Sequence, residues 1–120
     1  MRLGLVLVER REAEMARAAE AHGLFGVLAG SVNPMTAITA AVYASTTTDF
    51  VRVVTRVRLG LEHPMTIAEE LSVLDNVNNG RTVVLCDTGE LDQEGAADEV
   101  AVLREALACR PIQHIGHRWT

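Results

Sequence analysis

Residues 63–85 read HPMTIAEELSVLDNVNNGRTVVL: a helix opened by proline, a glycine stop, then a short apolar strand. Pro64 suits the first helical position, where its missing N–H has no intrahelical partner to lose. Ile67, Leu71 and Leu74 recur at helical spacing and form one apolar stripe. Asn79-Gly80 supplies residues that tolerate the left-handed conformation that ends a helix. Residues 82–86 (TVVLC) then read as a strand. A helix leading at once into a buried strand is one step of a β-α series, so the rest of the chain must fit a sheet built from such steps.

It does. Residues 3–8 (LGLVLV) are apolar on both faces, the pattern of a buried parallel strand. Residues 10–21 follow as a helix with Met15, Ala18 and Ala19 on one side, and Gly23 stands where a C′ glycine would close it. Residues 24–28 form a second apolar run. Asn33-Pro34 reads as N-cap and first residue of a second helix that continues through ITAAVYA. Residues 50–59 are dense in valine and make a third strand. After the fourth strand, residues 88–95 form a polar, acidic loop, and Val100, Leu103 and Leu107 mark a fourth helix that Pro111 prevents from continuing. The tail PIQHIGHRWT is irregular. Four β-α units in one domain, residues 1–120, predict an α/β fold with a parallel sheet and right-handed crossovers. Two architectures fit: a small open doubly wound sheet, or half of a (βα)8 TIM barrel, which takes about 250 residues when whole.

Composition narrows the partners. A net charge of −5 disfavours the phosphate backbone of nucleic acid, and 3% aromatic content leaves little for base stacking. No apolar run reaches the roughly 18 residues of a membrane span. The opening MRLGLVLVERR lacks the pattern of a signal peptide. Cys86 and Cys109 do not make a disulfide framework, so a reducing, cytoplasmic setting is the expectation.

The series His63-Pro64, Ala68-Glu69-Glu70, Leu74-Asp75 and Gly80-Arg81 resembles the stretch between the third and fourth strands of the luciferase-like monooxygenase family. That family includes bacterial luciferase and relatives dependent on FMN or on the deazaflavin F420. The opening MRLGLVLV, the helix end Glu20-Ala21-His22-Gly23-Leu24-Phe25 and the tail His114-Ile115-Gly116-His117-Arg118-Trp119 are weaker echoes of it. The resemblance implies a TIM barrel, of which this chain matches the first four units. A lone half-barrel would expose two sheet edges and one apolar face. Two copies about a two-fold axis would supply eight strands, and a homodimer is therefore expected. The implied activity is flavin- or F420-linked oxidation of a small organic substrate. The alternative is a relative without cofactor that binds a small ligand, catalyses a non-redox step such as cyclisation or isomerisation, or serves as a partner subunit.

The resemblance also implies that a flavin ring lies across the C-terminal ends of the strands. The matching third-strand residues are Val53, Val54, Thr55, Arg56 and Val57, with Val54 and Arg56 where the family has small residues. Residues 29–33 lack the acidic and histidine residues common after the second strand, and residues 85–89 (LCDTG) replace a glycine-rich segment. Candidate ligand- or cofactor-binding residues are thus Thr55, Arg56, Arg58 and His63. Arg52, Arg56 and Arg58 share one strand face by their even spacing. They read either as an anion site or as strand-end arginines paired with acids. Asp87 and Cys86, at the end of the fourth strand, are the catalytic candidates: Asp87 as acid/base or cap of the next turn, Cys86 as nucleophile or core residue. His63 reads as a structural residue of the loop before Pro64 or as a rim ligand. His114 and His117 have helical spacing, but no further ligands accompany them, so no metal is expected. Trp119 is expected to anchor the tail.

Overall fold

The computed structural model describes residues 1–30, 33, 36–109, 111–113 and 116. Strands and helices alternate: β1 (Gly4–Val6), α1 (Glu12–Ala21), β2 (Gly26–Ala29), α2 (Ala37–Thr46), β3 (Arg52–Arg58), α3 (Pro64–Val77), β4 (Thr82–Asp87) and α4 (Gln93–Leu107). The sheet is parallel throughout and its order is β1-β2-β3-β4. Each new strand adds beside the last, with no reversal of direction across the sheet. That is barrel progression; a doubly wound sheet would reverse at a switch point.

The local signals act as their chemistry requires. His63 caps α3, its Nδ1 accepting from the Met65 N–H at 3.1 Å, and Pro64 opens the helix. Asn79 and Gly80, at φ 55° and 79°, turn the chain out of α3. Gly23, at φ 71°, does the same after α1. The described part of the second helix runs from Ala37, with Thr36 as N-cap. Thr36 folds back on Asn33, its N–H and hydroxyl both donating to the Asn33 carbonyl at 3.2 and 3.0 Å. Pro34 lies outside the described residues.

One sheet face is covered by the helices. Val27, Ala29, Val53, Thr55 and Val57 point into this layer and are buried. They meet Ala40, Ala41 and Ala44 of α2 and Ile67, Leu71 and Leu74 of α3. Alanine lets α2 lie close to the sheet. At Gly30 the approach is closest, since a Cβ there would stand 2.4 Å from the Ala37 Cβ.

The opposite face is open. Register aligns Val6, Leu28, Val54 and Val83 in one row across all four strands. Val6, Val8, Val83 and Leu85 are 50, 52, 42 and 48% exposed. Burial of the first strand on both faces, expected from its apolar run, therefore does not hold in the single chain. The residues are apolar, but only Leu5 and Leu7 pack toward the helices.

Arg81 ties the layers together. It is buried, and its Nε donates to the Asn78 carbonyl at 2.8 Å. Nη1 donates to Thr48 Oγ1 and the Val51 carbonyl, and Nη2 to the carbonyls of Ser45 and Thr48, at 2.9 to 3.1 Å. The guanidinium thus caps the carbonyl end of α2, where the helix dipole favours a cation, and fixes the entry to β3.

The candidate site at the rim of the open sheet face

The open face and the C-terminal ends of β3 and β4 meet at a polar rim. Arg56 and Arg58 rise from β3 on the open side, opposite Leu85 and Asp87 of β4. Arg56 Nε donates to Asp87 Oδ2 at 3.2 Å, and Arg56 Nη2 donates to the same oxygen. The pair is partly solvated, with side chains 30 and 25% exposed. Asp87 Oδ1 accepts from the Gly89 N–H at 2.9 Å. That backbone bond, followed by the bond and charge of Arg56 and the charge of Arg58, outweighs slight desolvation and holds the Asp87 carboxyl below the usual range. Asp87 thus caps its own turn, one of its two sequence readings, and is also the acid that pairs with Arg56.

Arg58 packs on the loop after β4, where a Cβ on Gly89 would come within 2.8 Å of its Nε. A cavity of about 180 Å³ opens beside it, lined by Arg56, Arg58, Leu61, Glu62, Ile67 and Glu70. Desolvation, and then the Glu62 charge, raise the Glu70 carboxyl above its ordinary value. Glu62 and Glu70 escape sequence reasoning because their meeting depends on how the loop before Pro64 turns. A larger open groove of about 630 Å³ runs along α1 and α2, but its charged lining is solvated, as in the surface pair Arg11–Glu14.

The other candidates lie apart. Thr55 faces the helix layer, 0% exposed, on the opposite side of β3 from Arg56 and Arg58. Its hydroxyl has no hydrogen-bond partner among the described residues. Cys86 alternates with Asp87 and leaves the open face. It is exposed by area, yet nearby protein still desolvates it enough to raise its thiol pKa, which disfavours the thiolate a nucleophile needs. His63 is engaged as the cap of α3. Among the described residues no cluster of His, Cys, Asp or Glu could hold a metal ion. No described helix is long and apolar enough to cross a membrane. His114, His117 and Trp119 lie outside the described residues.

A parallel β-α sheet in barrel order, helices on one face and charged residues at the C-terminal rim of the other, defines a TIM-barrel-type half-barrel. The chain belongs to the luciferase-like monooxygenase family, which it matches over residues 8–110. Its fold is similar to that of the monooxygenase RslO1 from Streptomyces bottropensis, at TM-score 0.83 and 20% identity, covering 99% of this chain and 46% of that one. It is also similar to the coenzyme F420 dependent tetrahydromethanopterin reductase from Methanopyrus kandleri, at TM-score 0.68 and 15% identity, over 88% of this chain and 39% of that one. A third likeness is to the oxygenating constituent of 3,6-diketocamphane monooxygenase from Pseudomonas putida, in complex with FMN. There the TM-score is 0.65 and the identity 17%, over 99% of this chain and 42% of that one. The chain thus spans less than half the length of each of these structures. None of the curated proteins matches it.

The rim can be tested against the flat ring of a flavin or deazaflavin. A ring resting on the ends of β3 and β4 needs small residues and open space there. Arg56, bonded to Asp87, occupies that surface instead. As they stand, these residues do not fit the ring.

Proposed function

We propose that this chain forms one half of a luciferase-like barrel and that the completed barrel oxidises a small organic molecule with FMN or F420 as redox partner. The observation that carries the reading is the family match over residues 8–110. The F420-dependent and FMN-bound neighbours support the choice of cofactor. The open face supports completion by a second half-barrel. Val6, Val8, Val83 and Leu85 are each about half exposed, and covering them contributes about 1 kcal/mol per residue. On this reading a ring would have to displace the Arg56–Asp87 pair. Partly solvated ion pairs contribute little, so that displacement is a modest obstacle.

The same pair favours a second reading: a relative without cofactor that binds a small ligand, catalyses a non-redox step such as cyclisation or isomerisation, or acts as a partner subunit. Fluorescence titration of the purified protein with FMN and with F420 separates the two. Low-micromolar binding of either supports the oxidoreductase. Absence of binding at about 100 μM, far weaker than ordinary cofactor affinity, selects the second reading.

A further inference from the structure

We propose that a second copy of this chain covers the open sheet face, and that one Arg58 from each copy then forms an oxyanion site at the mouth of the closed barrel. This rests on the reading that a half-barrel completes the face.

The edges argue for a second copy. β1 and β4 are both outer strands of a parallel sheet. The β1 ladder also extends past its ends, through Phe25 N–H to the Leu3 carbonyl at 2.8 Å and Leu7 N–H to the Leu28 carbonyl at 2.9 Å. A two-fold axis along the barrel sets β4 of each copy beside β1 of the other, so one operator satisfies both edges. The relative covered at 46% of its length needs a little more than one further equivalent of this chain. The row Val6, Leu28, Val54 and Val83 then meets its own copy in the barrel interior.

Charge supplies the site. Among the described strand residues, the open face carries Arg52, Arg56 and Arg58 against one carboxylate, Asp87. Asp87 is taken by Arg56. Arg52 lies at the opposite end, reaching the Gly80 carbonyl at 3.4 Å. Arg58 has no ion pair or hydrogen-bond partner for its guanidinium among the described residues. In one copy Glu62 and Glu70 line the cavity beside it. Closure brings two Arg58 side chains toward the axis, with only the already bonded Asp87 of each copy near them on that face. Two guanidinium forks match a phosphate or carboxylate group, and neither copy holds it alone.

Sedimentation equilibrium of the full chain tests this, in chloride and then with inorganic phosphate or acetate at constant ionic strength. The expected result is a species of twice the 13.0 kDa chain mass. Its dimer affinity rises about tenfold when the anion is at ten times its dissociation constant. The more effective anion tells whether the site prefers phosphate or carboxylate. Arg58→Gln still dimerises and loses the response. Leu85→Glu is monomeric with an unchanged circular dichroism spectrum, and Val8→Glu replaces it should that variant unfold. A dimer indifferent to both anions, or an equal response in Arg58→Gln, overturns the oxyanion site. A monomer in every buffer overturns the second copy. FMN and F420 titration of the same sample keeps the questions apart: a monomer that binds FMN defeats this inference alone, and a dimer that binds neither cofactor defeats the oxidoreductase reading alone.

Discussion

Arg56 of β3 and Asp87 of β4 bridge two strands across the open face, with Arg56 Nε 3.2 Å from Asp87 Oδ2. The same carboxylate accepts the Gly89 N–H, so the bridge orders both the strand ends and the loop that follows. Asp87 stays charged well below neutral pH because that N–H and then Arg56 favour its ionised form. Anything that settles on the ends of β3 and β4 has to compete with this bridge.

Arg81 stabilises the fold chiefly by donating to backbone carbonyls. Its donors go to the carbonyls of Ser45, Thr48, Val51 and Asn78 and to the Thr48 hydroxyl. Arg81→Met leaves those buried carbonyls unpaired and is expected to cost about 3 kcal/mol or more in urea unfolding. Arg81→Lys keeps the charge but not the planar fork, and is expected to recover only part of the loss.

Glu20 links α1 to the start of β3. Its carboxylate accepts from the N–H groups of Asp49, Phe50 and Val51 at 2.7 to 3.0 Å. Desolvation opposes its charge, but those three donors and the Arg81 charge prevail and lower its pKa. A depressed folded-state pKa means this contribution is complete above the unfolded value of about 4.3 and is lost as pH falls through the lower folded value. Urea midpoints measured across that window should therefore fall with pH more steeply for the wild type than for Glu20→Gln. At neutral pH Glu20→Gln is expected to be about 1 kcal/mol less stable.

Thr55 carries a hydroxyl into the helix-facing core, where it finds no partner among the described residues. Thr55→Val keeps the shape and removes the unsatisfied group, so it is expected to stabilise the protein by about 1 kcal/mol. Thermal unfolding would show this as a raised Tm.

Much of the fold was legible because single residues decide it. Pro64, Asn79-Gly80 and Gly23 each act through a backbone property that the letter alone reveals. The bond from the Thr36 hydroxyl to the Asn33 carbonyl was not, because neither letter alone fixes it. The exposure of Val6 and Val8 was not, because an apolar run says what a strand prefers to meet but not what covers it. At the site, even spacing placed Arg56 and Arg58 on one face, and the same parity puts Thr55 on the other. The partner of Arg56 is 31 residues away in sequence. It depends on the register of β3 against β4, which spacing within one strand does not contain.

On the proposed reading, Arg56 and Asp87 hold shut the surface that a flavin or deazaflavin ring would need. Parallel fluorescence titrations of the wild type and Arg56→Gly with FMN and F420 test it most directly. Arg56→Gly is expected to bind at least one of the two about fivefold or more tightly than the wild type, the pair's worth plus the cleared space. Equal or weaker binding by Arg56→Gly would contradict it.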